Sequence, residues 1–147
     1  MKKRLVTAVV LIAALILAVG GTLWLRGEKF DHPVNDLPGV TFEAVAYDPA
    51  SGEVAVRMTN QSDGTLSYGA YYELQKLRGE VWYTLPQTPS RYPRGWIAIE
   101  YLLEPGEREE FTVLLRGIYF PLGPGRYRVV KDAGYDEHWL AAEFVIQ

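Results

Sequence analysis

An uncharged run near the start of the chain constrains the fold more than any other feature. Residues 5–25 are 21 consecutive positions without a charge, and all but two threonines and two glycines are apolar. At a rise of about 1.5 Å per residue, a helix of this length covers roughly 30 Å, the thickness of the hydrocarbon core of a bilayer. A helix also satisfies its own backbone hydrogen bonds in lipid. The run therefore predicts a signal-anchor or transmembrane helix within residues 1–27.

The charges that flank this run predict its orientation. Residues 2–4 are all basic, and no acidic residue lies among the first 27. The positive-inside rule then keeps the N-terminus in the cytoplasm and places Trp24 at the outer interface. A cleaved secretory signal is the alternative, because its shorter apolar region ends at small residues such as Ala18 and Gly20. The run continues past both, which favours an anchor, and either interpretation makes the chain from about Arg26 onward extracytoplasmic.

Composition describes the chain as a packed globular protein. The chain is 48% hydrophobic and 22% charged, and it has no cysteine. Absence of cysteine excludes a disulfide scaffold, a thiol nucleophile, a thiolate metal site and an acylated N-terminal cysteine. Residues 28–147 carry 11 basic and 18 acidic groups, a net charge of −7. Because no basic cluster follows Arg26, the sequence argues against nucleic-acid binding and against contact with an anionic lipid surface.

The first half of the outer part alternates with a period of two, as strands do. Residues 28–39 lack apolar periodicity and predict a linker, so the domain is expected to cover residues 40–147. Residues 40–47 and the alternating Val54, Val56 and Met58 predict an opening antiparallel pair. Residues 68–77 and 81–85 flank a turn and predict a hairpin, in which Gly79 takes a positive φ angle.

The second half continues the same pattern. Three prolines make residues 86–95 an irregular loop, because proline removes ladder donors. Alternation then resumes in four further runs, at residues 96–103, 111–115, 127–131 and 139–146. No amphipathic helical pattern follows Leu25. About seven or eight short strands predict an all-β fold, an antiparallel β-sandwich, rather than a barrel of longer strands.

Several segments, in their order and spacing, resemble one family of domains. The likeness covers about residues 40–147 and is carried by Tyr68-Gly69-Ala70-Tyr71-Tyr72-Glu73-Leu74-Gln75-Lys76-Leu77, Gly79-Glu80-Val81-Trp82, Leu103-Glu104-Pro105-Gly106-Glu107 and Leu122-Gly123-Pro124-Gly125-Arg126-Tyr127-Arg128-Val129-Val130-Lys131. These segments resemble the bacterial immunoglobulin-like domains found behind N-terminal membrane anchors or lipoprotein signals. The resemblance implies an immunoglobulin-like sandwich and neither an activity nor a cofactor. Since the chain has no cysteine to acylate, its anchor would be the apolar helix.

Two aromatic residues are predicted to be structural. Tyr127 follows Pro124 and Gly125 at the start of a strand, where its hydroxyl can return to an upstream backbone carbonyl as a tyrosine corner. Trp82 lies in a strand, and so large an apolar group favours core or sheet-face packing over a ligand platform.

Catalytic and metal-binding patterns are weak. His32 lies in the predicted linker, and His138 adjoins Asp136 and Glu137, where a divalent ion is conceivable and a solvated polar turn is favoured. No serine has the Gly-x-Ser-x-Gly frame of a hydrolase nucleophile. The sequence therefore predicts no catalytic residue, no metal ligand and no cofactor site.

The best candidate interaction surface is the proline-rich loop, which places Arg91, Tyr92, Arg94 and Trp96 together. Aromatic residues mixed with arginine are enriched at protein interfaces. The sequence thus favours a membrane-anchored, extracytoplasmic, non-catalytic binding or protein-interaction module. One alternative is a secreted accessory domain that binds glycan through the Tyr92 and Trp96 loop, and another is an enzyme whose site has no recognisable motif.

Overall fold

A computed structural model describes residues 2–90, 98–134 and 138–147. In these residues the chain forms one helix, α1 (Lys2–Arg26), and ten strands: β1 (Glu28–Lys29), β2 (Val40–Asp48), β3 (Glu53–Asn60), β4 (Leu66–Gly69), β5 (Glu73–Arg78), β6 (Val81–Thr84), β7 (Glu100–Leu103), β8 (Arg108–Leu114), β9 (Gly125–Ala133) and β10 (His138–Ile146). The strands form two antiparallel sheets. The predicted fold, a β-sandwich preceded by one apolar helix, is confirmed.

The smaller sheet has the order β2-β3-β8, and the larger sheet is built around β9. One edge of β9 pairs with β10, and its other edge pairs with β5 and then, further along, with β4. Strands β6 and β1 extend the larger sheet from β5, and β7 extends it from β4. On one side of the sandwich β10 packs beside β2. On the other side the larger sheet ends in β7 beyond β4 and in β1 beyond β6, and the smaller sheet ends in β8.

The core lies between the two sheets and follows the period-two pattern. In β3 every second residue is buried, including Val54, Val56 and Met58. Leu74 of β5 and Val129 of β9 face them from the larger sheet and are also fully buried. Each such side chain stabilises the fold by about 1.5–3 kcal/mol relative to exposure. Burial on this inner face holds the sheets together and sets the register of their strands.

The segment predicted as a linker lies against the larger sheet. Strand β1 pairs with β6, and the Phe30 amide donates to the carbonyl of Trp82 at 3.0 Å. The chain then crosses to β10, where the Asn35 amide donates to the Trp139 carbonyl at 2.7 Å. The Asn35 side chain bonds both backbone groups of Ala141, at 2.8 and 3.0 Å. Residues 28–37, here called the strap, thus cover the outer face and satisfy part of the free edge of β10.

One residue joins α1 to the sandwich. Gly27 has φ +85°, and a Cβ at this position would collide with the backbone carbonyl oxygen of Thr84. The Trp24 ring meets the Phe120 ring edge-on with 5.7 Å between centroids, and Arg26 donates to the Tyr83 hydroxyl at 3.0 Å. The last turn of α1 is therefore in direct contact with the domain. Along the residues whose side chains are described, α1 is exposed, and it is long and apolar enough to cross a membrane.

The stretch from 68 to 77, predicted as one strand, is two strands with a break at residues 70–72. The break lets the Tyr72 ring enter the core and donate its hydroxyl to the Leu114 carbonyl at 2.6 Å. It also turns the Tyr71 carbonyl away from the ladder. The hairpin that follows has the predicted turn, with Gly79 at φ +63°.

Candidate functional site: the Lys131 cleft

A buried lysine lies on the inner face of the larger sheet. Lys131 is in phase with the core residues Tyr127 and Val129 along β9, and only 2% of its surface is exposed. Its ammonium donates to the Tyr71 carbonyl at 2.9 Å. The same Nζ lies 5.7 Å from the ring centroid of Tyr68 and 5.5 Å from that of Phe111. Two aromatic rings and one carbonyl therefore surround this cation.

Burial changes the acidity of this amine. Desolvation lowers the pKa of Lys131 from 10.5 to about 8, and the negative charge of Asp132 opposes the change. Aromatic faces stabilise a nearby cation, so the rings partly replace the lost water. Within the described ranges no carboxylate lies at ion-pair distance from Nζ. Lys131 is thus a buried cation at pH 7 that has no direct ion pair with any described residue.

Stacked aromatic rings form the wall beside Lys131. The Tyr68 ring stacks on Tyr101 at 5.4 Å and on Phe111 at 6.3 Å between centroids. The Tyr68 hydroxyl donates to the carboxylate of Glu109. Burial and the adjacent Glu109 raise the pKa of Tyr68, so this hydroxyl remains a donor at neutral pH.

Tyr68, Tyr101, Glu109, Phe111 and Lys131, together with neighbouring backbone, line a cavity of about 260 Å³ that we call the Lys131 cleft. The cleft lies on the side of the sandwich where β7 and β8 are the edge strands. It combines an apolar wall with a buried cation and a carboxylate. This combination is typical of a binding site, because a few polar groups in an apolar cavity orient a ligand.

A second buried cation lies on the outer face and has a structural role. The Arg128 Nε donates to the Gln75 Oε1 at 2.7 Å, and its guanidinium lies 4.3 Å from the ring centroid of Trp82 and 5.4 Å from that of Phe30. The strap, which carries Phe30, covers this group. Trp82 accordingly packs on the face of the sheet, half-buried and against an arginine.

Of the other residues predicted from the sequence, the structure describes Tyr127 but not the four residues of the proline-rich loop. Tyr127 is 1% exposed, and its hydroxyl donates to the Gly123 carbonyl at 2.7 Å, which is the contact of a tyrosine corner. The predicted interaction surface lies outside the described residues and comprises Arg91, Tyr92, Arg94 and Trp96.

The two histidines lie near the strap. His138 Nδ1 is 3.2 Å from the Asp36 carboxylate, and the His32 ring lies beside the rings of Phe30 and Trp139. Asp136 and Glu137 are the two residues that the sequence places beside His138 as conceivable ligands of a divalent ion. Both lie outside the described residues. Among the residues that are described, no three side chains of the metal-binding types gather.

Sequence reasoning missed both buried cations. Lys131 had a signal, because it occupies the next in-phase position after Tyr127 and Val129 in a strand whose alternate residues face the core. The sequence carries no such signal for Arg128, because the strap that covers its guanidinium shows no apolar periodicity.

The comparison with family models agrees with the fold. A family model described as a bacterial Ig-like domain matches residues 37–145. No curated protein matches the chain. A crystal structure described as an ApaA protein from Bordetella pertussis is 21% identical, with a TM-score of 0.31, over 82% of this chain and 92% of that one. By the family match and by its two antiparallel sheets, the chain belongs to the bacterial immunoglobulin-like domain family.

Proposed function

We propose that this protein is a membrane-anchored, extracytoplasmic and non-catalytic interaction module. Its partner is an extended segment of another protein, which adds to the edge of β7 and places a side chain in the Lys131 cleft. The observation that carries this proposal is the exposed apolar surface of β7, whose outer edge has no strand neighbour in the described part of the chain.

Strand β7 has the properties of an open sheet edge. In the described part of the chain its one strand neighbour is β4. Leu102 is 60% exposed, Tyr101 is 40% exposed, and Ile99 just before the strand is 41% exposed. Natural proteins protect such edges with charges, prolines or bulges, and an apolar edge is a template for an added strand. Partner segments use this edge-addition mode widely, with backbone bonds giving affinity and side-chain pockets giving specificity.

The Lys131 cleft supplies such a pocket beside β7. Tyr101 belongs to both the strand and the cleft wall. An ammonium has three donors, and the Tyr71 carbonyl accepts from one of them. A partner side chain that carries an acceptor, such as a carboxylate or an amide, would complete the shell of Lys131. Its carbon atoms would pack on the ring of Phe111.

The anchor is tested by cysteine labelling, since the natural chain has no cysteine. Gln61 lies in an exposed loop, so Gln61→Cys adds one accessible thiol. In intact cells a membrane-impermeant maleimide is expected to label this variant, and the labelled chain should sediment with membranes at its full mass. Labelling only after lysis would overturn the topology. A shortened chain in the soluble fraction would establish the cleaved-signal alternative.

The partner is tested by site-specific photocrosslinking in the native membrane. A photoreactive residue at position 102 is expected to crosslink to a protein in a discrete band. The control position is Val145, which is 58% exposed on β10. Equal crosslinking at both positions, or none at either, would refute the β7 interface. Retention of the purified protein on cell-wall polysaccharide, abolished by Trp96→Ala, would instead support the glycan alternative.

A further inference from the structure

We propose a second site, in which the phosphate of an anionic phospholipid binds between α1 and the sandwich. This inference rests on the proposed membrane anchor. The site is a cavity of about 200 Å³ whose lining includes Leu25, Lys76, Arg78, Leu85 and Leu122, and we call it the junction pocket.

The position of the junction pocket is set by the last turn of α1. Leu25 forms part of its wall, and the neighbouring Trp24 contacts Phe120 of the loop that closes the pocket. If α1 spans the bilayer, its last turn lies at the depth of the outer headgroups, where tryptophan is also enriched. Side chains that share a cavity with this turn lie at that depth too.

Two cations line the pocket from β5. Lys76 and Arg78 follow Leu74 in the period-two pattern, so the inner face of β5 continues past the core as two basic side chains. The Lys76 Nζ lies 4.9 Å from the ring centroid of Tyr127 and 3.4 Å from the Pro124 carbonyl oxygen. Neither cation has a carboxylate at ion-pair distance within the described ranges. The pocket is therefore positively charged.

Arg78 carries an unused donor. Its Nε is buried and has no hydrogen-bond partner among the described residues. A buried donor without an acceptor is costly and rare in native proteins. An external acceptor in the pocket would remove this cost. Phosphate oxygens suit the site, because arginine binds them through parallel N–H bonds and lysine adds a compact charge.

The apolar wall distinguishes a lipid from a soluble phosphate. Leu25, Leu85 and Leu122 line the same cavity as the two cations, and Leu25 continues into the exposed apolar surface of α1. A ligand that fits this arrangement has a phosphate joined to an acyl chain that follows the helix. The net charge of the domain predicted no contact with anionic lipid. The fold nevertheless gathers Arg26, Lys76 and Arg78 around the end of α1, and the sequence does not place these residues near one another.

The experiment measures lipid retention by the full-length protein. The purified protein in mild detergent is incubated with dioleoyl phosphatidylglycerol or dioleoyl phosphatidylcholine, and bound lipid is counted by native mass spectrometry. We expect preferential retention of phosphatidylglycerol, reduced about tenfold by Arg78→Gln, the size of effect expected for one charge-assisted hydrogen bond. Lys76→Gln should reduce it as well, which provides a second variant if the first fails to fold.

The matched control is Arg108→Gln, which removes the same charge from an exposed position. Arg108 is the first residue of β8 and lies at the end of this strand that is further from the junction pocket. It should leave retention unchanged. Equal retention of the two lipids, or an equal effect of Arg78→Gln and Arg108→Gln, would overturn the site. Displacement of the lipid by glycerol phosphate at millimolar concentration would overturn the choice of a lipid ligand. Cysteine labelling at position 61 tests the anchor separately, so failure of the pocket and failure of the anchor are distinguishable.

Discussion

Replacing Lys131 by methionine should stabilise the domain at neutral pH. The pKa of this amine falls from 10.5 to about 8 on folding. Since one pKa unit corresponds to about 1.4 kcal/mol, keeping Lys131 protonated in the folded state costs about 3 kcal/mol at pH 7. Methionine has nearly the same length and packs well against aromatic rings. The substitution also deprives the Tyr71 carbonyl of this donor, which offsets about 1 kcal/mol. We expect a net gain of about 2 kcal/mol.

The pH dependence provides the second half of this prediction. Between pH 8 and 10.5 the unfolded chain holds the Lys131 proton and the folded chain has released it, so the free energy of unfolding rises with pH across this window. Burial raises the pKa of Tyr68 and of Tyr71, so ionisation of these tyrosines in the unfolded state reverses the trend above about pH 10. The effect of Lys131 on the free energy of unfolding is therefore best measured between about pH 7.5 and 9.5.

Urea unfolding of the purified protein in mild detergent, followed by tryptophan fluorescence at several pH values, measures both effects. The wild type should gain stability as the pH rises from 7.5 to 9.5, and the Lys131→Met variant should gain much less. A variant that is less stable than the wild type at pH 7, together with a flat wild-type profile, would show that Lys131 is not a buried cation.

Three further predictions use the same purified protein. Tyr127→Phe deletes the hydroxyl that donates to Gly123 and should lower the free energy of unfolding by about 1 kcal/mol in urea titrations, with no change expected if that contact is absent. Asn35→Ala removes two hydrogen bonds to Ala141 at a residue with φ 57°, so a loss of about 2 kcal/mol and faster amide exchange at Ala141 are expected. Trp96→Ala should abolish any retention on polysaccharide resin, and full retention by this variant would eliminate the proline-rich loop as a glycan site.

Local pattern predicted most of the fold. The strict alternation of Val54, Val56 and Met58 identifies the inner face of β3, because the period of a strand matches the two faces of a sheet. Gly79 identifies its hairpin, because the turn needs a positive φ that glycine adopts without strain. Each of these signals is contained within a few neighbouring residues, so a single sequence is enough to detect them.

The strap and the two pockets depend on contacts between residues far apart in the chain. Asn35 bonds to Ala141, and no periodic pattern in residues 28–37 predicts a contact with a residue more than a hundred positions away. The junction pocket likewise combines Leu25 with Arg78 only after β5 and α1 meet. The period-two pattern of β9 does place Lys131 on the core face, yet a charged residue at such a position is ordinarily assigned to the exposed end of its strand.

The joint at Gly27 limits how far the domain can reach. If α1 spans the bilayer as proposed, the single residue between it and the first strand leaves the sandwich without a spacer to lift it from the lipid. Its longest strands have nine residues, so its far end would then stand about 30 Å above the lipid. A partner would have to reach down to that height, which favours other membrane-bound proteins over molecules that stay far out in the envelope.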